Sequence, residues 1–153
     1  MNQDLFETLT GTFSDGTPID AVPPGERIIR SIRDNLTRLL TSRAGLLPHL
    51  SDYGLPDITE IYHRMPYGIP KLRESMEAAV AEYEPRLKNV RVMYIEPPVN
   101  PDQSDAMGRK ITKKPFVFEF RIIGEVGKLG TVSFSSLLPS NGSPQVARIE
   151  KKK

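Results

Sequence analysis

Apolar residues recur at helical spacing between residues 28 and 40. Ile28, Ile29, Ile32, Leu36, Leu39 and Leu40 share one face, while Arg30, Arg33, Asp34, Thr37, Arg38 and Thr41 lie largely on the other. The pattern predicts an amphipathic helix, closed by Gly45 and Pro48. A second helical stretch begins near Pro70, a residue tolerated in a first turn, and its stripe is Leu72, Met76, Ala79, Val80, Tyr83 and Leu87. After Pro85 the period changes to two. Val90, Val92 and Tyr94 alternate with Arg91, Met93 and Ile95, and Phe116, Phe118, Phe120 and Ile122 alternate with Val117, Glu119, Arg121 and Ile123. Gly124 to Gly130 reads as a turn, and Thr131 to Leu138 as the returning strand. Helices followed by strands predict an α+β fold in which two main helices pack on a small, mainly antiparallel, three- to four-stranded sheet. Ile32, Leu36, Leu39, Val80 and Leu87 are the expected core between those layers.

The flanks carry less pattern. Residues 1–24 read as a flexible N-terminal arm, punctuated by Gly11, Gly16, Pro18, Pro23 and Pro24. Its few apolar residues, Leu5, Phe6, Leu9 and Phe13, are candidates for docking on a partner. Residues 25–140 form the single expected domain, and 141–153 a C-terminal tail ending in Lys151-Lys152-Lys153. Residues 48–70 read as loop, with a short helical turn at 58–64. Residues 96–115, with four prolines and one glycine, read as a long exposed excursion.

Composition narrows the classes. A chain of 153 residues suffices for one real core, and 38% hydrophobic with 26% charged residues is usual for a globular protein. The absence of cysteine excludes disulfides and thiolate metal sites. A net charge of +2 does not suggest nucleic acid. No apolar run of about twenty residues is present, so no membrane span is expected, nor does the N-terminus read as a secretory signal.

The feature that stands out is Glu84-Pro85-Arg86. Pro85 lacks an N–H and clashes with the preceding helical turn, so two opposite charges flank a forced change of chain direction. Residues two apart share no helical face. Each charge is therefore expected to find its own partner: Arg43 for Glu84, and Asp52 or Asp57 for Arg86, in partly buried pairs. His49 and His63 lack ligand-spaced companions, so no zinc site is expected. No phosphate-cradling glycine loop or nucleophile elbow is found. Asp52, Asp57, Glu60 and Glu84 are the carboxylates that a glycosidase pair would require. Arg86 near Glu84 favours ion pairing over proton donation there.

Three ordered pieces, Leu39-Leu40-Thr41-Ser42-Arg43, Asp52-Tyr53-Gly54-Leu55-Pro56-Asp57 and Tyr83-Glu84-Pro85-Arg86-Leu87, together resemble the baseplate wedge family shared by contractile phage tails and type VI secretion systems, whose secretion branch is the TssE type. The similarity covers roughly residues 26–138. It implies a structural protein without catalytic residues or cofactor, in which Glu84, Pro85, Arg86, Arg43 and the 52–57 segment serve structure or assembly. It further implies other baseplate wedge subunits and contractile sheath subunits as partners, no nucleic acid, no direct membrane insertion, and a cytoplasmic place in a baseplate docked at the inner membrane. The wedge protein of such particles helps initiate sheath polymerisation. Exposed strand edges suit that task by strand addition, and the strands near 116–123 or 131–138 are the expected edges. The alternatives are a peptidoglycan-cleaving, lysozyme-like glycosidase, the wedge protein of a phage tail or related particle, and a small adaptor for one soluble partner.

Overall fold

The computed structural model describes residues 5–97, 107, 117–140 and 142–150. Four helices, α1 (Leu5–Thr10), α2 (Pro24–Thr41), α3 (Ile58–His63) and α4 (Gly68–Tyr83), accompany four strands, β1 (Lys88–Ile95), β2 (Val117–Val126), β3 (Gly130–Pro139) and β4 (Gln145–Ile149). The strands form one antiparallel sheet in the order β1-β2-β3-β4. Helix α4 lies along β1 and α2 along β4, so the fold is α+β with the helices on one face of the sheet.

Alternation explains the core. Phe118, Phe120, Ile122 and Val126 of β2 are fully buried, as are Phe134 and Leu138 of β3. They meet Ile32, Leu36 and Leu39 of α2 and Leu72, Met76 and Val80 of α4 in one cluster. Phe116, expected on the same face, lies outside the described residues, as do most of 96–115 and the Lys151-Lys152-Lys153 tail. All five residues expected between the layers are buried. Leu87, however, lies beyond the end of α4, in the turn before β1.

Several boundaries differ from the sequence reading. Helix α2 stops at Thr41, short of Gly45 and Pro48, because the Ser42 carbonyl accepts from Leu55 N–H (2.9 Å) and Arg43 pairs with Leu55 as a parallel bridge. Helix α4 begins at Gly68, whose N–H donates to the Arg64 carbonyl (3.0 Å), so Pro70 sits inside the first turn. Gly124 is not in a turn: β2 continues through it to Val126. A side chain there would stand 2.5 Å from Leu87 Cγ, so the glycine admits Leu87 to the core. The turn itself is confined to Gly127–Leu129.

The expected edges are also corrected. Strand β2 is paired on both sides by β1 and β3, and β3 by β2 and β4. Neither the strand near 116–123 nor that near 131–138 has a free edge. Among the described residues, the edges are β1 and β4. Strand β4 went unread in the tail because its alternation is shallow: Val146 and Ile149 are only half-buried and the rest is exposed.

Residues 5–22 also carry structure. Thr12 bridges Pro18, and Phe13, Ile19 and Val22 bury one another in a small separate cluster. Phe13 is thus inside the chain, with the Arg30 guanidinium 5.7 Å from its ring centre, and is not on offer to a partner. Three apolar residues at irregular spacing are too few to leave a period. Asp34, read as part of the polar face, is buried. It accepts from the Ser14 N–H (3.1 Å) and hydroxyl (2.6 Å) and pairs with Arg33 (2.9 Å), which binds the N-terminal segment to α2.

Candidate assembly site

Helix α4 ends where Pro85 requires it to. Glu84 leaves helical geometry (φ −124°, ψ 74°), its N–H still donating to the Val80 carbonyl, and Leu87 N–H returns to the Glu84 carbonyl (3.1 Å). This tight turn folds Arg86 back on Glu84. Arg86 Nε donates to Glu84 Oε1 and Nη2 to Oε2, both at 2.7 Å, and the Arg86 backbone N–H reaches Oε1 at 3.3 Å. The two charges therefore pair with each other, contrary to the separate partners expected. The helical-face rule fails because Glu84 and Arg86 are no longer in a helix.

Helix α2 completes the network. Arg86 Nη1 donates to Ser31 Oγ (2.7 Å), while Asn35 Nδ2 donates to Glu84 Oε2 (2.9 Å) and to the Tyr83 carbonyl (3.2 Å). The Glu84 side chain has no solvent exposure and that of Arg86 only 15%. A bidentate, charge-assisted pair with its remaining lone pair satisfied is the arrangement in which a buried ion pair is tolerated. Its effect is to fix α2 against the junction of α4 and β1, the helix that backs β4 against the turn that launches the other edge strand.

The 52–57 segment is built on a different contact. Gly54 has φ +106°, and a Cβ there would lie 2.3 Å from the Ser42 carbonyl oxygen, so only glycine lets the segment reach the end of α2. Leu55 is then buried, with Ala44 N–H donating to its carbonyl (2.9 Å). The Tyr53 ring meets Tyr83 edge-on, with centres 5.0 Å apart. Asp57 caps α3 by accepting from Thr59 N–H (2.9 Å), a bond that holds its carboxyl below the usual range. Arg43 pairs with Asp57 (3.5 Å), not with Glu84, and both side chains are substantially exposed. The Ser51 hydroxyl is 3.4 Å from Asp52 Oδ1. Neither Asp52 nor Asp57 pairs with Arg86. The two signature segments meet through Tyr53 and Tyr83, while Pro56 leads into the α3 cap.

None of the four carboxylates weighed for acid–base work is held in an apolar pocket: Glu84 is ion-paired, Asp57 caps a helix, Glu60 pairs with Arg64 (2.7 Å) at the surface and Asp52 is exposed. His49 and His63 are exposed, and among the described residues no group of three or more His, Cys, Asp or Glu is placed to hold a metal ion. Among those residues, too, no helix is long and apolar enough to cross a membrane.

Three contributors went unread. Ser31 and Asn35 stand one helical turn apart beside the apolar stripe of α2, and a polar pair at that spacing on a buried flank was the available signal. Glu77 of α4 accepts from Val92 N–H of β1 (2.9 Å), a contact with no sequence signature.

A family model for the baseplate wedge protein gp25 matches residues 26–112. The fold is similar to that of a chain in a solved structure described as the baseplate complex from the type VI secretion system, with a TM-score of 0.59 and 27% identity, covering 79% of this chain and all of that one. Curated proteins give no match.

Proposed function

The chain belongs to the baseplate wedge protein gp25 family, and on that premise we propose that it is the TssE-type wedge subunit of a type VI secretion baseplate and helps start the contractile sheath by strand addition. Membership makes it a structural baseplate component. The likeness to a type VI baseplate chain across its whole length favours the secretion machine over a phage tail.

The observation that carries the sheath reading is the difference between the two sheet edges. On β1, the Val92 N–H is already taken by Glu77, which blunts that edge for strand addition. On β4, no side chain among the described residues hydrogen-bonds the backbone. The incoming strand is therefore assigned to β4, beside the layer that α2 supports. The other faces meet neighbouring wedge subunits. This reading puts the subunit in the cytoplasm, within a baseplate docked at the inner membrane, with no nucleic acid bound and no membrane insertion of its own. It assigns no enzymatic activity, because the carboxylates considered are each committed to a structural contact or open to solvent.

Adjacent residues of a strand point their N–H groups to opposite edges. Of Val146→Pro and Ala147→Pro, one removes a bond to β3 and destabilises the chain, while the other removes an outward donor and leaves the fold intact. The folded variant should enter baseplates and yet fail to start sheaths in cells that build the machine. Sheaths of normal number and length would overturn strand addition at β4. Purified wild-type protein should leave a peptidoglycan suspension turbid, and clearing would restore the glycosidase reading.

A further inference from the structure

Helix α1 is amphipathic the wrong way round. Its only buried residue is Glu7, at 3% exposure, while Leu5, Phe6 and Leu9 are 71%, 66% and 76% exposed. Both Glu7 carboxylate oxygens are buried without a hydrogen-bond partner of ordinary geometry among the described residues. A buried carboxylate in that condition is costly when ionised and far less so as the neutral acid.

The surroundings sharpen the preference. From α2, Ser31 and Asp34 face Glu7, and Asp34 also carries Arg33. From the turn after α4 come Glu84 and Arg86. Arg38 of α2 lies over the Phe6 ring of α1, 5.7 Å from its centre. Two of these groups are acidic. Arg86, the cation interacting with Glu7, is already committed to Glu84 and Ser31. Burial is the main effect and pushes the Glu7 carboxyl up from its ordinary value of 4.5. The Ser31 hydroxyl and Arg86 oppose that rise, while Asp34 and Glu84 add to it.

A six-residue helix has almost no stability alone, since helices below about 12 residues are marginal in water. With one buried side chain, the state of that side chain decides whether α1 stays. We propose that α1 is a proton-gated latch, docked while Glu7 is the neutral acid and released when Glu7 ionises, so that one wall of the Glu84–Arg86 network opens. The direction follows from linkage. A carboxyl whose pKa is higher docked than free favours docking fully below 4.5 and loses that contribution as pH rises to the docked pKa, by at most tenfold in the docking constant per pH unit. Above the docked pKa the loss is complete.

The Gly11 N–H, which donates to the Glu7 carbonyl at the end of α1 (2.9 Å), reports docking. In the full chain its hydrogen-exchange protection factor should fall between pH 4.5 and the docked pKa and level off above it. The Glu7 side-chain carboxyl carbon, followed by NMR, should titrate above 4.5 over the same interval. Glu7→Gln, neutral at every pH, should hold the acid-form protection throughout. A wild-type protection factor independent of pH, a Glu7 titration at or below 4.5, or an equal fall in Glu7→Gln would each overturn the latch. None of these readouts depends on sheath assembly.

Discussion

Arg86 grips Glu84 through two N–H···O contacts of 2.7 Å across a single proline. The pair is closed by Ser31 and Asn35 from α2, so what looks like a surface motif at a helix end is a buried joint between two layers. Removing one partner leaves the other desolvated, and such losses run to about 3–5 kcal/mol. Arg86→Ala should therefore lower the unfolding free energy by about that amount. Glu84→Leu with Arg86→Met, which fills the space with apolar groups, should cost clearly less than Arg86→Ala alone. Denaturant melts at neutral pH measure both. A single-variant loss under about 1 kcal/mol, as for an exposed pair, would contradict the buried joint.

Gly54 is the second point at which one atom decides the fold. An added Cβ meets the Ser42 backbone oxygen at 2.3 Å, at a φ of +106°. Gly54→Ala should cost about 2–3 kcal/mol, combining backbone strain with a clash that no side-chain rotation relieves. Gly16, at φ +80° with nothing within 4 Å, supplies the comparison: Gly16→Ala should cost only about 1 kcal/mol. Equal melting temperatures for the two variants would remove the close approach as the reason for this glycine.

How far the sequence disclosed this molecule depends on range. Periods of 3.6 and two revealed α2, α4 and the inner faces of β1 to β3, since each buries a regular stripe. Strand β4 escaped because a half-buried edge strand has little alternation to show. The Glu84-Pro85-Arg86 turn was visible as a break, but its pairing was not: that pairing depends on Glu84 leaving the helix before its side chain is placed. The roles of Ser31, Asn35 and Glu7 went unread for a related reason. They acquire meaning only once α1, α2 and the 84–86 turn stand side by side.

Leu36 tests the core itself. It is fully buried within the main cluster beneath the sheet. Leu36→Ala should destabilise the chain by about 2–5 kcal/mol. Leu9→Ala, at a position 76% exposed, should change stability by less than about 0.5 kcal/mol. Paired thermal melts give the comparison directly, and an unchanged melting curve for Leu36→Ala would refute the assigned buried face.

Glu77 tests why one edge of the sheet is closed. Its carboxylate accepts from Val92 N–H at 2.9 Å, with Arg73 3.8 Å away on the same helix. Glu77→Ala leaves a backbone donor on an edge strand that also exposes Met93. Loss of a charge-assisted hydrogen bond of this kind should cost about 1.5–3 kcal/mol. The unguarded edge should also pair with other chains. Two results are expected together: faster hydrogen exchange at Val92, and concentration-dependent self-association by sedimentation beyond that of the wild type. Glu77→Gln keeps an acceptor oxygen at the same reach and should restore most of the protection while losing the Arg73 attraction. If Glu77→Ala stays dispersed and Val92 exchanges as before, the contact does not guard β1. The two edges would then be equivalent, and the assignment of the incoming strand to β4 would lose its basis.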